Sequence, residues 1–383
     1  MTVEPNRALA ALPRWWTRFG HGACVAVVAT IYRIVSLLGI GRTRRAGNLS
    51  KPLLCIEGGP KGWAIIELIE LAASAEEYLG AGQVYRLTVP SNDIYLRTVC
   101  KTMDTVQPTH YLYDPRTGSQ HWFGALWEAF RIGLMAASRG IVPIGWLTDF
   151  SFRRWRLQVA IATAAAGVTI TFMKPAQVAR IFPHRRLCGP SLMPISENTL
   201  EALQAMRASH QGSPAAPRAA FIGSLYEPRT TKLIEIQNGL RARGHELEII
   251  ARKLGGPRIP NGTYWEQLAV ADIVVTTADH ASGPGIDEIG LPHLVYRYTE
   301  ALAAGALLIA PTVPAIERYF LPGVHFIPFD KTTEAVEKIA GYLTDAKART
   351  RIARQGQARA AHLIRARTCW TAVDSALGME SFF

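Results

Sequence analysis

The sequence predicts an α/β protein of two domains, each built from βαβ units, with a hydrophobic and basic helical segment in front. Three observations carry that prediction. The 383 residues are too many for one typical domain and suit two. Short apolar runs bounded by Gly and Pro alternate with stretches of helical spacing, as βαβ units require. Residues 209–218 (SHQGSPAAPR) are rich in Ser, Gly and Pro, lack periodicity, and separate two such series. The expected division is therefore an N-terminal segment at 1–50, a first domain at 51–208 and a linker at 209–218. A second domain follows at 219–345, and a C-terminal helical tail at 346–383.

Composition bounds the function. Hydrophobic residues make up 49% of the chain and charged ones 19%, which describes a protein with real cores. The net charge of +12 favours anionic partners. Residues 1–51 hold Arg7, Arg14, Arg18, Arg33, Arg42, Arg44, Arg45 and Lys51 against Glu4 alone, so most of the excess lies there. The five cysteines (Cys24, Cys55, Cys100, Cys188, Cys369) are dispersed without CxxC spacing, which points to a reducing compartment and no metal site. The arginine-rich helical region at 346–367 reads as a solvated face. No nucleic-acid motif accompanies it, so nucleic acid is not an expected partner.

Residues 22–40 are nearly all apolar, with Arg33 as the one charge. Trp15, Trp16 and Phe19 precede them, and Arg42, Arg44 and Arg45 follow. This reads as a helix lying in a membrane interface, making residues 14–45 a peripheral membrane contact. A helix packed on the first domain is the second reading. A spanning helix would bury Arg33 at a cost of roughly 2.5–3.5 kcal/mol, and an export signal lacks its cleavage site. The expected location is cytoplasmic, peripheral at the inner face of the membrane.

In the first domain, residues 51–56 form a strand leading into Glu57-Gly58-Gly59-Pro60-Lys61-Gly62 and then a helix over 63–79. Strand, glycine-rich turn and helix N-terminus make an anion or acceptor cradle from Gly58, Gly59 and Lys61, or else a tight βα turn. Further strands are expected at 83–89, 110–113 and 141–147, with a helix over 123–138. The strand at 141–147 ends at Asp149, and ligands in open α/β sheets bind beyond the carboxyl ends of strands. Asp149 is thus a candidate base or a helix N-cap. A strand is expected at 168–172, and beyond it His184 is a second candidate base or a surface histidine.

In the second domain, 219–223 reads as a strand, 228–243 as a helix closed by Gly244, and 246–251 as a strand. Arg229 and Lys232 fall in the first turn of that helix, where cations suit a bound anion or are plain solvated charges. A helix near 264–270 and a strand at 272–277 lead to a cleft-lining loop holding Asp279, His280, Asp287 and Glu288. Residues 296–309 (YRYTEALAAGALLI) organise this half: a short helix breaks at Gly305 and passes into a buried strand. Glu300 and Arg297 lie on one face of it. A helix near 315–320, a strand at 324–328 and a helix over 332–343 complete the domain.

Residues 219–360 resemble the C-terminal domain of the GT-B glycosyltransferases, which have two Rossmann-like domains facing a central cleft. The closest pattern is the group-1-like branch related to the CgeB spore-maturation proteins. The likeness rests on Phe221-Ile222-Gly223-Ser224 with Arg229, on Arg297–Ala306, on Glu317-Arg318-Tyr319-Phe320 with Pro322-Gly323, and on the helix after Asp345. The resemblance implies a metal-independent, hexosyl-type transferase with no cofactor, taking a nucleoside-diphosphate sugar as donor and an unknown acceptor. It implies donor contacts from Ser224, Arg229, Lys232, Arg297, Tyr298, Glu300 and Gly305, with Glu300 on the ribose and the arginines on the diphosphate. Asp149 and His184 would serve the acceptor side. The chain departs from the retaining members at Pro292, where a second glutamate would stand eight residues before Glu300, and Ala304 replaces a frequent cysteine. A catalytically silent GT-B scaffold at the membrane is the alternative.

Overall fold

The computed structural model describes residues 23–24, 26–35, 49, 52–57, 65–89, 95–115, 122–147, 153–164, 166–172, 174–179, 187–189, 191–211, 216–253, 259–279, 294–313 and 315–378. Among these, two parallel sheets form. The first takes β1 (Leu53–Ile56), β2 (Val84–Leu87), β3 (His110–Tyr113), β4 (Val142–Leu147), β5 (Val168–Thr171) and β6 (Leu187–Cys188) in the order β2-β1-β3-β4-β5-β6. The second takes β7 (Ala219–Leu225), β8 (Leu247–Lys253), β9 (Ile273–Val275), β10 (Leu307–Ala310) and β11 (Ile327–Pro328) in the order β11-β10-β9-β7-β8.

The inner strands β1, β4, β9 and β10 are buried along their whole length, which is why they read as unbroken apolar runs, whereas the edge strand β2 is mostly exposed. Leu53 and Cys55 enter one core while Leu54 and Ile56 enter another, the period of two expected of a strand. In the second sheet, Ala220 and Ile222 face the core shared between the domains, and Ala219 and Phe221 face the outer one.

The helices in chain order are α1 (residues 26–35), α2 (Ile65–Leu79), α3 (Tyr95–Val106), α4 (Trp122–Arg139), α5 (Arg153–Thr163), α6 (Pro175–Ala179) and α7 (Glu197–Gln211). Then come α8 (Arg229–Arg241), α9 (Asn261–Val270), α10 (Tyr296–Ala303), α11 (Thr332–Thr344), α12 (Ala346–Leu363) and α13 (Ala366–Gly378). The segment predicted as a helix near 315–320 is a single 3-10 turn at Ile316–Arg318. Besides the five-residue α6, two helices escaped the sequence reading. In α3 the buried Tyr95, Val99 and Met103 recur every four residues. In α7, Glu70 accepts from Ser196 N at 2.8 Å and Glu77 from Glu197 N at 2.7 Å, so carboxylates from α2 cap its N-terminus. That helix runs to Gln211, into the stretch expected to be linker.

α7 and α13 join the halves. Arg207 on α7 is buried and donates to the Ala269 and Ala271 carbonyls of the second domain at 3.1 and 2.6 Å. At the C-terminus, α12 packs on α10 and β10, whereas α13 crosses to the first domain and packs on α2, β5 and β6. There Trp370 is fully buried and its Nε1 donates to Ser74 Oγ at 2.9 Å.

Of the N-terminal segment, α1 buries Val28 and Tyr32 against α4, with the Tyr32 ring stacked on Phe130 at 5.8 Å. Val27 and Ile34 point outward, 59% and 49% exposed. No helix of the described residues is long and apolar enough to cross a membrane.

Candidate functional site

The site forms where β7, β9 and α10 meet, at the carboxyl edge of the second sheet. β7 ends in Leu225, and α8 begins four residues later with Arg229. Although charged, Arg229 is buried. Its Nε donates to Thr277 Oγ1 at 2.9 Å, Nη1 to the Ser224 carbonyl at 3.2 Å and Nη2 to the Thr277 carbonyl at 3.3 Å. The guanidinium also lies 4.2 Å from the centre of the Tyr226 ring, a favourable cation–π stack. Burial pushes its pKa down, and the nearby Arg297 charge pushes the same way. One turn on, Lys232 Nζ meets Asp279 Oδ1 at 2.6 Å, and Asp279 Oδ2 is buried without a partner among the described residues.

α10 supplies the other half. Too short to be stable alone, it is held by burial from Tyr298 to Ala303 and ends at Gly305. Gly305 has φ +73°, and a Cβ there would come within 2.9 Å of Gln357 Nε2, so only glycine fits without strain. Arg297 Nε stands 3.5 Å from Glu300 Oε2, and its guanidinium lies 4.7 Å from the centre of the Tyr264 ring. The Tyr264 hydroxyl, from α9, donates to the same Oε2. Glu300 is 1% exposed and its pKa rises to about 7. Burial is the main cause, Arg297 and Tyr264 oppose it, and Glu67 and Glu70 on α2 add to it. The first domain therefore lends its field to this site.

Besides Asp279 Oδ2 and the Tyr296 hydroxyl, two further atoms of α10 are left over. Glu300 Oε1 and Arg297 Nη1 are buried and neither has a hydrogen-bond partner among the described residues. One can accept from a hydroxyl and the other can donate to an anionic oxygen. Buried polar groups are rarely unpaired without reason, and a ligand with both chemistries would satisfy the pair.

The structure brings Ser224, Arg229, Lys232, Arg297 and Glu300 together. Tyr298 and Gly305 stand behind them: the Tyr298 hydroxyl is spent on the Pro311 carbonyl at 2.6 Å, and Gly305 ends the helix. Asp149, His184, Gly58, Gly59 and Lys61 lie outside the described residues. At the mouth of that glycine loop, Glu57 pairs with Arg86 and accepts from Thr88 Oγ1 at 3.3 Å. Sequence reasoning missed Tyr264 and Thr277. Tyr264 sits beside Trp265 in an apolar helical stripe and so reads as core. Among the described residues no three His, Cys, Asp or Glu side chains gather to hold a metal ion.

Two parallel-sheet domains with a charged site at the carboxyl edge of the second define the GT-B fold. Residues 231–369 match a family model described as glycosyl transferase-like. HepE from Anabaena, solved with UDP and glucose, superposes with a TM-score of 0.53 at 14% identity, covering 86% of this chain and 100% of HepE. Sucrose-phosphate synthase from Thermosynechococcus elongatus gives a TM-score of 0.53 at 11% identity, covering 86% of this chain and 98% of that enzyme. At such identities the likeness is one of fold. No curated protein sequence matches the chain.

Proposed function

We propose that the protein is a glycosyltransferase that binds a nucleoside-diphosphate sugar at the edge of β7, β9 and α10. The observation that carries this reading is the pair of atoms without a partner among the described residues, Glu300 Oε1 and Arg297 Nη1, on buried side chains whose Oε2 and Nε stand 3.5 Å apart. A nucleoside diphosphate offers both complements, ribose hydroxyls for the carboxylate and phosphate oxygens for the guanidinium. The glycosyl transferase-like match over residues 231–369, and the UDP-sugar complex of the similarly folded HepE, agree with it.

In this reading Glu300 holds the ribose as an ionised acceptor, and Arg297 neutralises the diphosphate. A departing nucleoside diphosphate gains negative charge, and fixed cations stabilise that charge without reorganising. This is the role assigned here in place of a metal. Arg229 acts from behind by fixing Ser224 and Thr277, while Lys232 sits at the rim with Asp279. Asp149 and His184 remain the candidate acceptor-side bases, and Gly58, Gly59 and Lys61 the acceptor or phosphate loop. A hexosyl donor and the CgeB-related branch rest on the resemblance of residues 219–360.

Peripheral membrane contact through residues 14–45 belongs to the same proposal. On α4, beside α1, Phe123 is 78% and Trp127 54% exposed, which suits an interfacial surface more than water. The location proposed is the inner face of the membrane. A silent scaffold is the second reading, favoured by Pro292 in place of a second glutamate.

Thermal-shift titration of the full chain with UDP-, GDP- and ADP-sugars tests donor binding, and sugar release from the stabilising nucleotide tests turnover. Stabilisation without transfer or hydrolysis supports the scaffold. No stabilisation by any nucleotide removes the donor site.

A further inference from the structure

We infer that Tyr264 is a positioning residue of this site, holding Glu300 and Arg297 together so that one open atom of each faces the ligand. The inference rests on the donor-binding reading above, and it assigns a role to α9, an element that reads as core. Tyr264 touches both residues at once: its hydroxyl donates to Glu300 Oε2, and its ring carries the Arg297 guanidinium at 4.7 Å. Each partner thereby has one end engaged and one end open. On Glu300, Oε2 is held by Tyr264 and by Arg297 Nε, leaving Oε1. On Arg297, Nε faces the carboxylate and the plane lies on the ring, leaving Nη1.

The arrangement also answers a physical difficulty. A short helix must present a buried carboxylate and a buried guanidinium at fixed angles, and neither side chain is stiff. An aromatic ring with a terminal hydroxyl supplies both constraints and loses little conformational entropy in doing so. The ring is itself fixed by edge-on packing against Trp265, at 5.4 Å between centres. The charged and titratable groups facing Glu300 are Arg297 and Tyr296 on its own helix, Tyr264 from α9, and Glu67 and Glu70 from α2. Of these, Tyr264 and Arg297 favour the ionised carboxylate.

The test is Tyr264→Phe, which keeps the ring under Arg297 and removes only the hydroxyl. Loss of one hydrogen bond to a charged group predicts donor binding weaker by about tenfold, with kcat changed much less. The low-pH limb of donor binding should move to higher pH, because the carboxylate loses a group that stabilises its ionised form. In a Glu300→Gln background the same substitution should change donor affinity little, since the hydroxyl then has no charge to hold. Unchanged affinity and an unchanged pH limb in Tyr264→Phe would overturn the inference. The ligand-free protein gives a separate readout, the titration of the Glu300 carboxyl carbon by NMR. An upward midpoint shift in Tyr264→Phe supports the coupling, and no shift refutes it. Failure of the wild type to bind any nucleotide sugar, with that NMR shift present, sinks the donor reading and leaves the Tyr264–Glu300 coupling standing.

Discussion

Arg229 Nε donates to Thr277 Oγ1 at 2.9 Å, tying the first turn of α8 to the segment that leaves β9. The two ends of the site are thus linked across 48 residues of sequence by this bond and by a second one, from Arg229 Nη2 to the Thr277 carbonyl. Thr277→Val keeps the volume and removes the acceptor. It should cost about 1–3 kcal/mol, because a charged donor is left unpaired in the interior. Urea unfolding would show a lower midpoint with an unchanged slope, and an unmoved midpoint would mean the bond is dispensable.

Trp370 anchors α13 to the first domain. Trp370→Ala removes a fully buried ring and the bond to Ser74, at a cost of about 3–5 kcal/mol. Hydrogen exchange should accelerate in α13 and α2 well before the second sheet is affected. Equal acceleration everywhere would show that α13 is no separate clasp.

Glu300 makes pH a diagnostic with two opposite signs. The folded carboxyl keeps its proton up to about pH 7, whereas an ordinary one loses it near 4.5. Folding takes up a proton between those values, so this group's contribution to stability falls as pH rises from 4.5 to about 7. Glu300→Gln cannot titrate. Relative to wild type it should gain stability between about pH 5 and pH 8, as measured by unfolding at each pH. Donor binding runs the other way, strengthening in the wild type as Glu300 ionises. A Glu300→Gln variant whose stability tracks the wild type at every pH would refute the shifted carboxyl.

The exposed aromatics on α4 give a test of membrane contact. Phe123→Ser with Trp127→Ser should reduce co-sedimentation with anionic vesicles and leave nucleotide binding intact, since both side chains lie on the helix beside α1. Each buried CH2-equivalent is worth about 0.8 kcal/mol at such a surface, so losing two aromatic rings should be easily measured. Undiminished pelleting would exclude this face.

Much of the second domain was legible in the sequence. The helix–glycine–strand pattern at 296–309 appears as α10, Gly305 at φ +73° and β10, because capping glycines and apolar runs are local signals. The helix after Pro228 closes through Gly244 at φ +75° for the same reason. The amphipathic spacing of α3 was equally local and went unread. The bonds of Arg229 belong to another category: as a sequence feature it was a cation suited to a bound anion or a plain solvated charge, and in the fold its nitrogens brace Thr277 and Ser224.

By itself the sequence determined the βαβ alternation, the breaks at glycine and the presence of Arg297 and Glu300 on one helical face. These follow from propensity and period, which act over a few residues. Only the tertiary structure decided that Tyr264 would grip Glu300 from 36 residues away, that α2 would press its carboxylates' field on the site, and that α13 would return to clasp Ser74. Those contacts depend on which surfaces the two sheets bury against each other, and no local pattern encodes that choice.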